Sequence, residues 1–472
     1  MDPISRLFLK SSLTEENRFI STAGILDWVQ ERRDSTAVHV EKTTFDKLDK
    51  WLFDDEAGTL RHETGRFFSI DGIRVRTNYG TVPEWTQPII NQPEVGYLGI
   101  IAREIDGVLY FLMQAKVEPG NIDRVQVSPT LQATKSNYTQ VHQGKSQKFL
   151  KHFLNRQRNR VLFDQLQSEQ GARFLKKRNR NIITLVDEDV PHNENYQWMT
   201  LRQIKLLLQQ DNIVNMDTRT VVSGIPYGET YGETDDNLAN PATGESEFQP
   251  FRRKLLKSMI DPRGAVDSVD QLLAWFTDIK QQHELTISTL PLQELESWNI
   301  TPTGIVHDEG KYFRVIPVNI SVEGREVESW SQPMVQPCDD GIIAFIVRPI
   351  HGVMHVLVQA KLECGNFDVM ELAPTVQCLT GRIQDPATVP FLQFVLDAPL
   401  SQIRYTQLLS EEGGRFYREQ NRNIIVEADD SFPVDVPPTF RWLTLNQLAT
   451  FLKFNNYLNI QARSLISTLL FN

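Results

Sequence analysis

The chain repeats itself at long range. The segment EWTQPII at residues 84–90 returns as SWSQPMV at residues 329–335, and QAKVEPGNID at 114–123 returns as QAKLECGNFD at 359–368, in both cases 245 residues further on. Over residues 85–132 the two copies align without a gap and are identical at 20 of 48 positions. Copies of this length are too long for the units of a solenoid, so the sequence indicates a duplicated domain.

Length and linker composition agree with this division. A chain of 472 residues is too long for one typical hydrophobic core. The stretch between the copies is rich in Gly, Pro and acidic residues and contains no Lys or Arg, which is typical of a linker. We therefore predict an N-terminal repeat over residues 1–223, a linker over residues 224–250 and a C-terminal repeat over residues 251–472.

Hydrophobic patterns predict both strands and helices in each copy. Apolar and polar residues alternate, as in strands with one buried face, in residues 97–105, 107–118, 342–350 and 352–363. Apolar residues recur at helical spacing in residues 147–157, 161–178 and 198–210. The EIDG and PIHG sequences between the paired strands predict hairpin turns. Strands followed by helices indicate an α+β fold, with a mixed sheet flanked by helices.

Charge and cysteine content limit the class of partner. The net charge of −11 argues against nucleic acid, because a surface that follows phosphates is normally basic. The three cysteines, Cys338, Cys364 and Cys378, have no zinc-like spacing, and an odd count fits a reducing compartment. The longest apolar run is far too short to span a bilayer. We expect a cytoplasmic protein with no membrane partner.

Several of the repeated motifs resemble those of one enzyme family. The string SPTLQATKSNY at residues 128–138, its echo APTVQC at 373–378, and the doubled WxQP, QAKxExGN and NRNII motifs resemble the NDP-4-keto-6-deoxyhexose 2,3-dehydratases of antibiotic deoxysugar pathways. The resemblance covers both copies. It implies tandem Nudix-like domains, a homodimer, a dTDP-4-keto-6-deoxy-D-glucose substrate and two nucleotide-sugar pockets per chain, of which one is catalytic.

The metal-binding pattern of working Nudix enzymes is incomplete here. Gly365 and Glu371 keep its G-x5-E start, but residues 165–172 and 407–414, which we interpret as the Nudix helix, both lack its Arg. The N-terminal segment keeps only Glu169, whereas Mg²⁺ usually needs one or two well-placed carboxylates. We expect no metal site and no cofactor. A metal-dependent Nudix hydrolase of a nucleotide sugar is the alternative function.

Dehydration across C2 and C3 of a 4-ketosugar sets chemical requirements. It needs a base for the C3 proton, a cation or donors at O4, and an acid for the departing C2 hydroxyl. Tyr138 offers a phenol for acid or base chemistry if Lys135 lowers its pKa. Lys135 or the amide of Asn137 could instead hold the O4 enolate. The plain alternative is a polar turn that satisfies its own backbone.

Other polar residues of the N-terminal copy are candidate substrate ligands. Lys116 suits a phosphate or O4, and equally a Lys–Glu pair on a strand surface. Arg173 and Arg180 suit a diphosphate or an interdomain salt-bridge network. Trp85 suits stacking on thymine or a place in the core. The predicted substrate-binding residues are Trp85, Gln87, Gln114, Lys116, Glu118, Asn121, Ser128, Thr130, Gln132, Ser136, Arg173 and Arg180.

The C-terminal copy lacks the acid–base residues of this string. Thr380 and Ile383 stand where Lys135 and Tyr138 stand in the first copy. We therefore expect catalysis in the N-terminal pocket and at most nucleotide binding in the C-terminal one. The predicted residues of that vestigial pocket are Trp330, Gln332, Lys361, Thr375, Gln377, Arg415 and Arg422. Because a 3,4-diketo product is unstable, we also expect a partner 3-ketoreductase that consumes it.

Overall fold

Four β-sheets with helices packed on them make up the described part of the chain. The computed structural model describes residues 1–134, 148–154, 160–229, 250–323, 328–380 and 385–471. Two sheets have five strands and two have seven. Strands and helices thus occur together throughout, and the predicted α+β class is confirmed.

The N-terminal half begins with two helices, continues through strands and ends with two helices. Its strands are β1 (Val38–Lys42), β2 (Trp51–Asp54), β3 (Thr59–His62), β4 (Ser69–Thr77), β5 (Glu84–Asn91), β6 (Gly96–Ile105), β7 (Val108–Val117), β8 (Val125–Ser128), β9 (Leu131–Ala133), β10 (Arg160–Ser168), β11 (Arg178–Leu185) and β12 (Tyr196–Thr200). Its helices are α1 (Pro3–Leu13), α2 (Thr22–Asp34), α3 (Leu150–Leu154), α4 (Leu201–Leu207) and α5 (Met216–Ser223).

The C-terminal half repeats this order element by element. Its helices are α6 (Pro250–Ile260), α7 (Val269–Gln282), α8 (Leu392–Leu396), α9 (Leu445–Phe451) and α10 (Ile460–Ser467). Its strands are β13 (Leu285–Leu290), β14 (Trp298–Thr301), β15 (Gly304–His307), β16 (Phe313–Val322), β17 (Ser329–Pro337), β18 (Gly341–Ile350), β19 (Val353–Lys361), β20 (Glu371–Pro374), β21 (Val376–Leu379), β22 (Ile403–Ser410), β23 (Gln420–Glu427) and β24 (Phe440–Thr444).

The seven-stranded sheets are the matching central sheets of the two halves. One has the order β10-β11-β6-β7-β12, with β8 added to β7 and β9 added to β6. The other has the order β22-β23-β18-β19-β24, with β20 added to β19 and β21 to β18. Each sheet is mixed, because β11 runs parallel to β6 and β23 runs parallel to β18. The same strands at the same places show that both halves have one fold.

The five-stranded sheets exchange strands between the halves. Strand β1 pairs antiparallel with β16, with Val38 opposite Val322. Strand β13 likewise pairs antiparallel with β4, with Leu285 opposite Thr77. Each half therefore contributes one strand to a sheet of the other half. The boundaries at residues 223 and 251 stay a prediction, and the exchanged strands mean that the halves are joined through both of these sheets.

The first residues of the predicted linker are packed against the core. Ile225 and Tyr227 are buried, and the Tyr227 ring meets the Phe471 ring edge to face at 5.0 Å. Helix α6 then begins at Pro250. Residues 230–249, which form most of the predicted linker, lie outside the described residues.

The two halves also meet along α5 and α10. Arg219 on α5 donates from Nε to Ser464 Oγ at 2.7 Å, and Arg463 on α10 donates from Nε to Thr220 Oγ1 at 3.0 Å. Both guanidinium side chains are fully buried. A buried Arg needs every donor satisfied, and each of these reaches backbone carbonyls as well.

None of the helices in the described part of the chain combines the length and apolar composition needed to cross a bilayer.

The predicted strands and hairpins are confirmed, but one predicted helix is wrong. Asp106 and Gly107 at the first turn both have positive φ, as a two-residue hairpin of the observed hand requires. Residues 161–178 form strand β10 and a turn instead of a helix. A β-bulge between Val161 and Phe163 breaks the strict alternation of the strand, so the sequence shows a spacing that mimics a helix. The segment interpreted as the Nudix helix in each copy is therefore a strand end followed by a turn.

Candidate active site

The doubled QAKxExGN motif places a Lys and a Glu at the end of a central strand in each half. In the N-terminal half this strand is β7, and the short strand β9, paired with β6, brings Gln132 beside it. Helix α5 approaches the same point with its first turn. Six polar side chains meet here, and we call them the N-terminal site: Lys116, Glu118, Asn121, Gln132, Asn215 and Asp217.

Glu118 lies at the centre of this site. It is 2% exposed, and Lys116 Nζ lies 2.9 Å from its Oε1. Gln132 Nε2 donates to the same oxygen at 2.9 Å, and Asn121 Nδ2 donates to Oε2 at 3.1 Å. The Lys116 side chain is 24% exposed and Gln132 is half-buried, so solvent or a ligand reaches the cluster on the side of these two residues.

Asp217 is the second carboxyl group of the site and was missed in the sequence. It is 4% exposed, and its Oδ2 accepts a hydrogen bond from Gln132 Nε2. Among the described residues, no group bonds its Oδ1. The signal that could have revealed it is an extension of the repeat, since Asn215 and Asn459 both cap a final helix, and Asp217 and Gln461 both follow two residues later.

The environments of the two carboxyl groups shift their pKa values in opposite directions. Burial alone would raise the pKa of Glu118, but the charge of Lys116 and the hydrogen bonds from Lys116, Gln132 and Asn121 outweigh it and lower that pKa. Burial raises the pKa of Asp217 well above its usual range, and the neighbouring carboxylate of Glu118 raises it further. A proton shared between the two groups is therefore favoured on Asp217 over Glu118.

The other half completes the N-terminal site. The backbone N–H of Gly120 donates to the carbonyl oxygen of Gly413 at 2.7 Å, which brings the GNID turn of one half against the EEGG turn of the other. Glu412 and Arg415 lie on either side of this contact. The positive charge of Arg415 attracts the carboxylates of both Glu412 and Glu118. Burial raises the pKa of Glu412, and Arg415 lowers it in part.

The contact between the halves also determines what two of the predicted residues, Gln332 and Gln87, lie beside. Gln332 Nε2 donates to the Gly414 carbonyl oxygen at 2.7 Å, so Gln332 lies beside Arg415 and the N-terminal site. By the same symmetry, Gln87 Nε2 donates to the Ala172 carbonyl oxygen at 3.1 Å, next to Arg173. The charge of Arg173 acts to lower the pKa of Glu363 in the C-terminal half. The carboxyl group of Glu118 or Glu363 in each half thus interacts with an Arg of the other half.

The corresponding cluster of the C-terminal half has different chemistry. We call it the C-terminal site: Lys361, Glu363, Asn366, Gln377, Asn459 and Gln461. Gln377 Nε2 donates to Glu363 Oε1 at 2.9 Å, as its counterpart does in the other half. Lys361 Nζ, however, donates to the carbonyl oxygen of Gln377 at 3.5 Å. Burial raises the pKa of Glu363, so this carboxyl group is less readily ionised than Glu118.

Two of the predicted binding residues, Thr130 and Thr375, make hydrogen bonds to backbone groups. Thr130 is 1% exposed, accepts from Ile101 N at 2.9 Å and donates to the carbonyl oxygen of Leu112. Thr375 makes the same pair of contacts in the other half, accepting from Ile346 N at 2.9 Å. Each hydroxyl ties adjacent backbone segments together. Ser128 is fully buried as well, with its Oγ 3.4 Å from the carbonyl oxygen of Gln126.

Some of the remaining predicted residues bond to other side chains, and others are exposed or make no side-chain hydrogen bond to the described residues. Arg180 Nε donates to Asp164 Oδ1 at 2.6 Å, which is an ion pair within its own half and not between halves. Arg422 is exposed. Gln114 is half-buried, and its side chain makes no hydrogen bond to the described residues. Trp85 is half-buried with its Nε1 2.9 Å from Gln87 Oε1, and Trp330 repeats this contact with Gln332 at 3.0 Å.

The predicted catalytic residues cannot be placed in this geometry. Lys135, Ser136, Asn137 and Tyr138 lie outside the described residues, immediately after Thr134. Within the described ranges, no three or more His, Cys, Asp or Glu side chains are grouped so as to hold a metal ion. The acid–base groups that the structure does describe at this strand end are the carboxyl groups of Glu118 and Asp217 and the ammonium group of Lys116.

Comparison with solved structures gives a short alignment. A crystal structure of a Nudix hydrolase from M. smegmatis, RenU, aligns with 24% of this chain and 74% of its own, at 18% identity and a TM-score of 0.18. At this TM-score the alignment carries no argument about the fold.

Comparison with known sequences gives long alignments. A model of the NDP-hexose 2,3-dehydratase family matches residues 22–225 and again residues 269–469. A Saccharopolyspora spinosa protein named dTDP-4-dehydro-6-deoxy-alpha-D-glucopyranose 2,3-dehydratase is 46% identical over 98% of this chain and 94% of its own. Proteins of the same name from Amycolatopsis orientalis, 41% identical over 97% of this chain and 92% of theirs, and from Streptomyces violaceoruber, 42% identical over 95% and 97%, are also similar. Because the family match takes in both repeats and these relatives align along nearly the whole chain, the protein belongs to the NDP-hexose 2,3-dehydratase family.

Proposed function

We propose that this protein is a lyase that eliminates water across C2 and C3 of dTDP-4-keto-6-deoxy-D-glucose, giving dTDP-3,4-diketo-2,6-dideoxy-D-glucose. The observation that carries the proposal is the 46% identity, over nearly the whole length of both chains, to a relative named for this 2,3-dehydratase activity. The reaction begins at C3, whose proton is acidified by the C4 carbonyl. Its removal gives an enolate at O4, which expels the C2 hydroxyl as water after that oxygen takes up a proton. The resulting enol then takes a proton at C2 and loses one from O3.

The N-terminal site has groups suited to this chemistry. Glu118 is an ionised carboxylate in a nearly water-free environment, where an electrostatic interaction is stronger than in water. Lys116 places a cation at the open side of the cluster, where it suits the developing negative charge at O4 or a phosphate. Lys135, Asn137 and Tyr138 stay the predicted catalytic groups from the sequence. The chemistry needs no redox cofactor, because every step moves only protons and the C–O bond pair.

The wider setting follows from the product. A vicinal diketone is reactive, so a 3-ketoreductase consumes it, within the synthesis of a deoxysugar for an antibiotic. The active form is a homodimer in the cytoplasm. The three cysteines, which are free thiols, are compatible with that reducing compartment.

The test follows the sugar and the nucleotide separately. The full chain is incubated with dTDP-4-keto-6-deoxy-D-glucose in EDTA, with a 3-ketoreductase and NADPH to trap the product, and products are identified by mass spectrometry. A sugar that has lost the C2 hydroxyl supports the lyase. Release of dTMP that occurs only with Mg²⁺ supports a hydrolase instead, and an unchanged sugar supports a binding protein.

A matched pair of variants locates the reaction. Lys116→Met and Lys361→Met remove equivalent ammonium groups from the N-terminal and C-terminal sites. We expect Lys116→Met to lower kcat by roughly 10²-fold, the usual value of one stabilising donor at a developing oxyanion. Lys361→Met should leave kcat within a few-fold. The opposite ranking would place catalysis in the C-terminal site.

A further inference from the structure

The two carboxyl groups of the N-terminal site share one hydrogen-bond donor. Gln132 Nε2 donates to Glu118 Oε1 at 2.9 Å and also to Asp217 Oδ2. The amide oxygen of Gln132 faces Asn215 Nδ2 at 3.5 Å, which fixes the orientation of the amide. Because both carboxyl groups accept from the same nitrogen, they are close neighbours in a nearly dry environment. Two neighbouring carboxyl groups under these conditions cannot both ionise without a large electrostatic cost.

Charged groups around Asp217 decide which of the two carries the proton. Glu118, Glu169 and Glu412 all act against ionisation of Asp217, whereas Lys116 and the buried Arg219, two residues further along α5, act for it. The dipole of α5 favours a negative charge at its first turn, but by less than the value of one pKa unit. That contribution is small beside complete burial and three neighbouring carboxyl groups. Glu118, in contrast, has Lys116 at 2.9 Å.

The C-terminal site lacks this arrangement at the equivalent positions. Gln461 stands where Asp217 stands, at the second residue after the cap of the last helix. Gln170 stands where Glu412 stands, in the turn that the opposite half contributes. Asp217 of the N-terminal site and the neighbouring Glu412 are therefore replaced by uncharged amides in the C-terminal half. The bridging amide and the first carboxyl group, Gln377 and Glu363, are kept.

On the basis of the proposed function, we propose that Glu118 and Asp217 form a carboxyl pair that holds a single proton, and that Asp217 is a positioning residue that acts on Glu118 through Gln132. The pair gives the N-terminal site a fixed, ionised carboxylate beside a carboxylic acid. Asp217 is a positioning residue because its oxygens are enclosed by protein atoms and it reaches the open side of the site only through Gln132 and Glu118. The C-terminal site has an amide, Gln461, at the position of Asp217, and the carboxyl group that interacts with Glu363 there, Glu371, accepts from Ser168 Oγ at 2.7 Å and not from Gln377.

The first test measures the proton directly. Of the described aspartates, Asp217 is the one whose pKa is raised. Wild-type protein labelled with [4-¹³C]aspartate should show the infrared carbonyl band of one protonated aspartate at pH 7. Asp217→Asn should remove the band, and the matched variant Gln461→Asn should keep it. Absence of the band from the wild type would overturn the proposal, and this readout needs neither turnover nor a folded variant.

The second test uses the pH dependence of kcat. Asparagine at position 217 keeps an acceptor for Gln132 and stays uncharged, so it imitates the protonated carboxyl group. Ionisation of Asp217 should lower wild-type kcat on the alkaline side, and the variant should lose that decline. Gln461→Asn should have the wild-type profile. A variant profile identical to the wild-type one would contradict the proposal.

The two tests keep this proposal separate from the proposed function. If the wild type does not dehydrate the sugar but the labelled aspartate is protonated, the proposed function fails and the carboxyl pair stands. If dehydration occurs and no aspartate is protonated, the pair fails and the function stands.

Discussion

The backbone N–H of Gly120 lies 2.7 Å from the carbonyl oxygen of Gly413, and this bond joins the QAKxExGN motif of one half to a turn of the other. The reciprocal bond, from Gly365 N to the Gly171 carbonyl oxygen, measures 2.6 Å. Each polar cluster is therefore built from both halves. This gives a physical reason to keep two halves in one chain, because a separated half would lack the turn that the other half contributes to its site.

This close approach predicts that alanine is not tolerated at position 120. A Cβ atom there would lie 1.7 Å from the carbonyl oxygen of Phe416, and backbone atoms cannot move aside as a flexible side chain does. We expect Gly120→Ala to lower the free energy of unfolding by about 1–3 kcal/mol or more, measured by urea denaturation. Gly24→Ala is the control, since its Cβ meets only side-chain atoms of Ile20 and Ser21. An unchanged Gly120→Ala midpoint would contradict the observed contact.

The sequence could predict local features of this fold but not the contacts between halves. Alternation is a local pattern, and a repeat is found by comparing the sequence with itself. The sequence could therefore predict the strands and the duplication. The exchange of β1 and β13 depends on long-range pairing, and the sequence of each strand does not specify which strand it pairs with. The interaction of Arg415 with Glu118 depends on the same long-range pairing. Asp217 was missed because one carboxyl group in a short helical turn has no pattern until its amide counterpart, Gln461, is placed beside it.

Thr130 tests whether a predicted sugar ligand is structural. Its hydroxyl accepts from Ile101 N and donates to the Leu112 carbonyl oxygen. Thr130→Val keeps the shape and leaves both backbone groups unpaired. We expect the free energy of unfolding to fall by about 1–3 kcal/mol, and kcat below the transition temperature to stay within a few-fold. Thr375→Val should behave alike. A large loss of kcat at unchanged stability would instead support the predicted contact with the sugar.

Lys205 predicts how stability depends on pH. It is fully buried on α4 beside the rings of Tyr227 and Phe471, and burial lowers its pKa to about 7 from the usual 10.5. Between these values the unfolded chain binds one more proton than the folded chain, so stability should rise with pH by about 1.4 kcal/mol per unit. Below about pH 7 both states are protonated and this dependence ends.

Lys205→Met should remove this dependence, because methionine does not titrate and fits an apolar site. The measurement is urea denaturation of both proteins at several values between pH 7 and pH 10. Lys453→Met, at an exposed position of the same half-to-half boundary, is the control and should keep the wild-type slope. Equal slopes for wild type and Lys205→Met would mean that Lys205 keeps its charge in the folded state.

The string after Thr134 supplies the prediction that concerns chemistry most directly. Tyr138→Phe and Lys135→Ala should each lower kcat by roughly 10² or more, because each removes an acid–base group or a cation from the proposed reaction. Circular dichroism should show unchanged folding. Thr380→Ala, at the counterpart of Lys135, should leave kcat within a few-fold. A fully active Tyr138→Phe would exclude the phenol from proton transfer.

The crossing of the two arginines gives a prediction with a built-in control. Arg415 lies 4.2 Å above the Phe68 ring, and Arg173 lies 4.2 Å above the Phe313 ring, so removing either guanidinium group should cost similar stability. Only Arg415 acts on Glu118 of the N-terminal site. If the diphosphate of the catalytic pocket binds Arg415, Arg415→Gln should raise KM by about 10–100-fold, which matches the loss of a charged hydrogen bond worth about 1.5–3 kcal/mol. Arg173→Gln should leave KM within a few-fold. If Arg173→Gln raised KM and Arg415→Gln did not, each half would use its own arginine, and the crossed assignment would be wrong.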